Sequence, residues 1–410
     1  MNTSAKIVAY STGISGHNIA SMELVFPRFI LAELNTHRLF SRNSASSRAI
    51  PFEKMVTEIM DNPFIPIAWQ KAHRGMQGSE YLDDTLEYSI LEFTEIVSDT
   101  FKKSNSTIVA LISQIFEKYK DDKRLLKDWW LLARDRAVES ALLLHIIGVS
   151  KQICNRLIET FMWHKVLLTA TEWENFFELR CPVYDFGFND GRTFKSIKEY
   201  EKSQTNEVLD WNGSCGDFAY NLVFNKGQSE IHMMALAEVM YDALNASVPK
   251  LLKHGEWHIP YEDFIDDAIY DDFWNDIEDN CSKSLCASDI KELTIKRFNE
   301  WILKVSTALC AKTSYTVAGE GIKQSNYLAE IKLYDKLLNS KHLSPFEHCA
   351  MCIDDEYNFY YKGKLTIASA LIRVEGGLSG EIILDDNNRG WCDNFRGFRS
   401  YRNLLQDSIK

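Results

Sequence analysis

Nowhere does the chain string together the roughly 18 to 20 apolar residues that a membrane helix needs. The opening stretch, Met1 to Gly16, has no long apolar core behind a basic start of the kind that marks a secretory leader. A cytoplasmic protein with no membrane partner is the expectation. Cysteine is sparse and odd in number, nine over 410 residues, which argues against a disulfide framework and for reduced thiols. Basic excess is also missing: the net charge is -12, and acidic runs such as Glu262 to Asp279 would repel a polyphosphate backbone, so a nucleic-acid polymer is not the expected partner. There is no internal repeat and no low-complexity linker.

With 45% hydrophobic and 25% charged residues, the composition is that of a folded globular chain. Lys6 to Tyr10 and Met22 to Phe26 read as strands, and Pro27 as the opening of a helix carrying Ile30, Leu31 and Leu34. Residues 53–147 read as mostly helix, broken at Asn62-Pro63, with Trp129 to Ile147 the strongest amphipathic run and Gly148 its stop. A helical pattern then carries Asn155 and Arg156 towards Trp163, followed by a strand-like Lys165 to Thr169. Thr171-Glu172-Trp173-Glu174 matches a capping box for a helix reaching Arg180. Gln228 to Leu252, Asp289 to Ser314 and Tyr327 to Leu338 read as helices, and Ala350 to Ile353, Leu365 to Val374 and Glu381 to Leu384 as strands. The expected architecture is α+β: one domain, 1–410, with a mixed sheet core flanked by helices. Residues 56–130 form a helical insertion, 182–224 a second insertion, and 262–300 an acidic peripheral segment.

Three places hold residues suited to chemistry. Thr36 to Arg48 packs His37, Arg38, Arg42, Arg48 and four serines, including Ser46 and Ser47, into thirteen positions. Guanidinium groups grip phosphate in a bidentate manner and serine hydroxyls add donors without bulk; a solvated loop with turn-forming serines is the plainer reading. Arg180 follows Trp173, Phe176 and Phe177 at i+7, i+4 and i+3, on the aromatic face of its helix. A guanidinium there needs a partner, either an ion pair with Glu159 or Glu172 or a bound ligand. His342-Leu343-Ser344-Pro345-Phe346-Glu347-His348 reads as a helix start with Ser at the cap, Pro at N1 and Glu at N3, whose amides could also face a phosphate. Cys349 and Cys352 form a C-x-x-C without a second pair, and His254 and His258 resemble half a metal site without a third ligand. Packing is the expected role of both pairs, and no metal is expected.

Together these segments resemble the flavin-dependent thymidylate synthase family, whose signature is R-H-R-x-x-S-x-N-x-x-S-x-R; here Thr36 to Arg48 reads T-H-R-L-F-S-R-N-S-A-S-S-R. Thr171 to Arg180 resembles the family's second site helix, Gln228-Ser229-Glu230-Ile231 its Q-x-E-I stretch, and His342 to His348 its H-x-[ST]-P-F-E-H. In compact members that last block precedes the arginine motif, whereas here it comes near the end, as in a circular permutation.

The resemblance implies that His37, Arg38, Asn175, His342 and Ser344 contact FAD. It implies that Ser46, Ser47, Arg48 and Arg156 hold the phosphate and sugar of a pyrimidine deoxynucleotide, dUMP first among them. Arg180 would lie at the pyrimidine edge, stabilising negative charge as N3 loses its proton. NADPH would reduce FAD, and a methylene from methylenetetrahydrofolate would pass to C5 of the base, in a homotetramer whose subunits share sites. Thr36, Ser44 and Glu33 stand where the family has arginine, glutamate and glutamine. These departures leave open a related transfer (hydroxymethylation, or dCMP as substrate) or a nucleotide- or flavin-binding protein without turnover.

Overall fold

A computed structural model describes residues 2–73, 78, 80–93, 106–187, 191–204, 218–265, 267, 271–275, 287–318, 320–323, 325–353, 373–374, 382–383 and 391–409. At its centre is a five-stranded sheet of β1 (Ser4–Gly13), β2 (Asn18–Pro27), β3 (Ser41–Ser44), β4 (Trp163–Ala170) and β5 (Lys250–Leu252) in the order β3-β4-β2-β1-β5. The β3/β4, β4/β2 and β2/β1 pairs are antiparallel and β1/β5 is parallel, so the sheet is mixed as expected. The expected strands at Lys6 to Tyr10, Met22 to Phe26 and Lys165 to Thr169 are its three longest members. Each runs further than the apolar pattern because backbone pairing continues beyond it on both sides.

Strand alternation sorts the two faces. Ala20, Met22, Leu24 and Phe26 with Val166, Leu168 and Ala170 form one apolar face. It is covered by α4 (Glu174–Arg180), through Phe176 and Phe177, and by α5 (Ile231–Asn245), through Met233, Leu236, Ala237 and Met240. The opposite face meets α6 (Ala287–Lys312) through Val8, Leu167, Trp301, Ile302, Val305 and Leu309. That face is partly polar: buried Lys165 pairs with Glu23 at 2.8 Å, and the Asn43 amide donates to the Cys310 carbonyl at 2.6 Å. A smaller sheet of β6 (Trp257–His258), β7 (Ala350–Cys352) and β8 (Phe398–Ser400) closes one end over Ile19, Leu252 and Phe395.

Three helices, α1 (Phe52–Asp61), α2 (Leu126–Ile147) and α3 (Lys151–Ile158), share a further core through Phe52, Met55, Ile59, Val138, Ala141, Cys154 and Ile158. Gly148 ends α2 at φ 98°, its amide bonded to the carbonyls of Leu144 and His145. Further helices are Ser106–Tyr119, Ile197–Gln204, Phe218–Phe224, α7 (Tyr327–Asn339), capped by Asn326, and α8 (Tyr401–Ile409). No helix among the described residues is long and apolar enough to cross a membrane.

Several expectations are corrected. Pro27 closes β2 and opens a 3-10 turn, Arg28–Ile30, with a single helical turn behind it, Leu31–Leu34, because β3 takes up the chain seven residues later. Residues 56–130 are helical only in part. Between Asp61 and Phe93 the described residues are irregular apart from two-residue strands and a 3-10 turn, Ile90–Phe93, with Phe64 buried against Trp130, Trp163 and His232, while Ser106–Tyr119 is a helix and α2 begins at Leu126. Gln228 to Leu252 splits into α5 and β5. In the 182–224 excursion, Tyr184, Phe194, Tyr200 and Leu222 pack onto Ile231 and Met234 of α5. The acidic 262–300 stretch is anchored in the core by Ile265 and Phe273. Of the expected C-terminal strands, Arg373–Val374 and Ile382–Ile383 pair antiparallel, while 365–372, 381 and 384 lie outside the described residues.

Phe273 is 1% exposed. Phe273→Ala should therefore lower the unfolding free energy by about 3 to 5 kcal/mol in urea denaturation. A loss within about 0.5 kcal/mol, as at ordinary surface positions, would contradict this anchoring.

Candidate functional site

Edge strand β3 organises the site. The loop before it is fixed from within: the Thr36 hydroxyl donates to the Glu33 carbonyl at 2.7 Å, and Arg42 Nη1 donates to the carbonyls of Leu34 and His37 at 3.2 and 3.3 Å. Arg42 thus holds the loop that presents His37. The His37 ring stacks on Phe40 and meets Phe176 edge-on, at centroid distances of 5.7 and 4.9 Å.

Arg180, the last residue of α4, donates from Nε to His37 Nε2 at 3.2 Å and from Nη1 to Ser229 Oγ at 3.3 Å. The first contact needs His37 neutral, with its proton on Nδ1. Burial, then the charges of Arg180 and Arg42, hold its pKa below the usual histidine value. Glu33 Oε2 lies 3.7 Å from Arg180 Nη1. Its carboxyl titrates above the usual range, chiefly from burial and then from Glu230, with Arg180 and His232 opposing. Glu230 is itself committed: it accepts the N–H groups of His232 and Met233 at the start of α5 and the His232 Nδ1 proton at 2.6 Å, while His232 Nε2 accepts from the Ile67 amide. Neither anionic partner considered for Arg180 from the sequence is the one observed. Glu159 instead pairs with Arg28 at 3.2 Å, and Glu33, in the helical turn Leu31–Leu34, takes its place. Thr171 likewise caps no helix: α4 follows Trp173, and the Thr171 hydroxyl accepts the Arg396 amide at 3.0 Å.

His342 to His348 approaches the same strand. It forms a 3-10 turn, Ser344–Glu347, and not the expected helix start, because the chain is taken into β7 at Ala350 between β6 and β8. Glu347 pairs with Arg402 of α8 and its charge also reaches Arg42. A cavity of about 390 Å³ beside the turn is lined by Ser41, Glu347, Asn394, Arg402 and Gln406. Another, of about 510 Å³, is lined by Tyr81, Asn225, Gln228, Ser229 and Glu230, and Ser229 is the residue that Arg180 touches. Ser344 is half-buried; Arg38, Asn175 and His342 are exposed.

His348 begins a buried polar chain: its Nδ1 bonds Thr169 Oγ1 at 2.8 Å, Thr169 bonds Ser21 at 2.6 Å, and His258 bridges Ser21 and Ser11 at 2.9 and 3.0 Å. Burial holds both imidazoles neutral, pushing each pKa down to about 3. Cys349 and Cys352 are completely buried, Cys349 3.3 Å from Ser306 Oγ and Cys352 3.6 Å from the Leu252 carbonyl.

Ser46, Ser47 and Arg48 leave the far end of β3. The Ser46 amide donates to the Ser314 carbonyl at 2.8 Å, and Asn155 of α3 donates to the carbonyls of Ser47 and Ile50 at 2.8 and 3.1 Å. The Arg48 and Arg156 side chains are exposed. The four-residue strand β3, roughly 13 Å long, lies between this group and the loop carrying His37. The ties through Glu33, Ser229 and Arg402 escaped the sequence reading. Glu33 and Ser229 lay in or beside noted motifs, but Arg402 carries no local signal.

No protein-family model matches the chain, and no curated protein does. Among solved structures, the UMP/dUMP methylase PolB from Streptomyces cacaoi bound with 5-Br UMP is 11% identical, over 50% of this chain and 87% of that one, at a TM-score of 0.26. The same protein bound with 5-Br dUMP gives 11%, 50%, 89% and 0.27. At such scores the functional reading rests on this chain's own residues.

Neutral burial of His258 and His348 has a pH consequence. Unfolded, both imidazoles titrate near 6.5; folded, they bind protons only near 3. Their contribution is complete above the unfolded value and is lost as pH falls towards the folded one. Unfolding free energy measured in urea should therefore drop from about pH 6.5 downwards, and His348→Gln should reduce that slope. An unchanged slope in a folded variant would contradict the neutral assignment.

Proposed function

We propose that the chain is a flavin-dependent enzyme transferring a one-carbon unit to C5 of a pyrimidine deoxynucleotide, with dUMP the substrate that the family resemblance implies. One observation carries this reading. Segments far apart in sequence that resemble one family's motifs, 36–48, 171–180, 228–231 and 342–348, meet around β3 and the ends of its neighbours, through the His37–Arg180–Ser229 contacts and the Thr169–His348 bond.

The residues present fit FAD. His37, on the floor made by Phe40 and Phe176, offers a neutral flat surface, and exposed Arg38, Asn175 and His342, with Ser344, supply donors for phosphates and ring edges. When bound, the cofactor supplies the redox and one-carbon chemistry, with NADPH as reductant and methylenetetrahydrofolate as carbon donor. The chain's part is to bind and orient. Ser46, Ser47, Arg48 and Arg156 would take the phosphate and sugar, and Arg180, held by His37 and Ser229, would present its guanidinium to the base as charge develops.

The family resemblance implies sites shared between subunits of a homotetramer, and the reading keeps that assembly. Ile146 and Ile147 of α2 are 78% and 76% exposed, and Leu143 of α2 with Ile153 and Leu157 of α3, the latter next in sequence to Arg156, are exposed as well. Exposed apolar side chains on two neighbouring helices suit a contact between subunits.

The test is twofold. The purified chain should bind FAD, and His37→Ala with Ser344→Ala should weaken that binding; a wild type that takes up no FAD overturns the reading. Arg180→Lys keeps the charge but loses the planar fork. Its melting temperature should stay near wild type, while single-turnover transfer slows by about 10² to 10³. A folded variant with an undiminished rate would remove Arg180 from the chemistry.

A further inference from the structure

Resting on the reading that Arg180 faces N3 of a pyrimidine, we infer that Glu33 sets the base specificity and that the preferred base is a 4-aminopyrimidine, cytosine in type. Among the described residues, Arg180 spends Nε on His37 and Nη1 on Ser229, leaving the Nη2 donors unused. The Glu33 carboxylate accepts no hydrogen bond there and stands 3.7 Å from the guanidinium. Both side chains are partly buried, at 23% and 40% exposure, so a ligand edge would meet them with much of the water displaced. Glu230 cannot do the same, since both its oxygens are taken by the α5 cap and His232. The site therefore offers a donor beside an acceptor.

The two pyrimidines differ at this point. With N3 against Arg180, uracil has a carbonyl oxygen on each side of N3, and either one would face the Glu33 carboxylate, acceptor against acceptor. Cytosine accepts at N3 from the guanidinium and donates its N4 amino group to the carboxylate, so both protein groups are satisfied. Charge points the same way. A carboxylate beside Arg180 offsets part of the positive potential that an ionised uracil would need, whereas a cytosine stays neutral. An unmatched polar edge is rejected far more strongly than a change of size.

The experiment measures dCMP and dUMP binding to the full chain with FAD added, for wild type and for Glu33→Gln, which keeps the shape and adds a donor. Wild type should favour dCMP by at least about 10-fold, and Glu33→Gln should erase most of that ratio while retaining nucleotide binding. Equal or tighter dUMP binding by wild type, or a ratio unchanged in a folded Glu33→Gln, overturns the inference and leaves the C5-transfer reading standing. Binding of neither nucleotide would overturn that reading and this inference with it.

Discussion

The central sheet and the helices packed on its two faces are hung on β4. All eight of its residues are buried, it pairs along its length with β2 and at one end with β3, and helices cover both its faces. Burying each large aliphatic side chain there contributes about 1.5 to 3 kcal/mol, and a one-residue slip would turn Val166 and Leu168 away from α5 and α4. Register is therefore fixed, and with it the positions of Thr169 and of the Trp173 turn. Because β3 borrows its register from β4, the loop carrying His37 is placed by the core and not by its own composition.

From that frame follows the electrostatic balance at the strand's end. One guanidinium, one neutral imidazole and one loosely held carboxylate share a half-buried space. Arg42 sits behind them, its charge spent on backbone carbonyls. Positive charge is thereby concentrated on Arg180, while Glu230 is locked into the α5 cap and leaves Glu33 as the acceptor beside it. The buried chain from His348 to Ser11 ties the turn at Ser344–Glu347 to the sheet without bringing charge into the core.

The central strands were legible in the sequence because alternation at Ala20, Met22, Leu24 and Phe26 reports directly on burial. Gly148 was legible because a left-handed residue after a helix favours glycine. The helix expected at Ser344 was not found because capping residues describe only local preference, and strand pairing at Ala350 overrides it. Residues 56–130 misled in part: the helical reading holds for Ser106–Tyr119 and from Leu126, but the irregular segment around Phe64 is pinned to Trp130 of α2 and to the core. His37 and Arg180 were singled out by motif and by an unusual place on a helix. Glu33 as the arginine's carboxylate partner was not, since that contact spans 147 positions that no periodicity links.

The central claim, that these separated segments build one flavin site at the edge of the sheet, is most directly tested by hydrogen exchange of the full chain with and without FAD. A shared site slows exchange together in residues 35–40, 174–180, 228–232 and 342–348, with the amides of β4 slow in both states. Protection confined to one of those segments, or absent from all of them at saturating FAD, would contradict it.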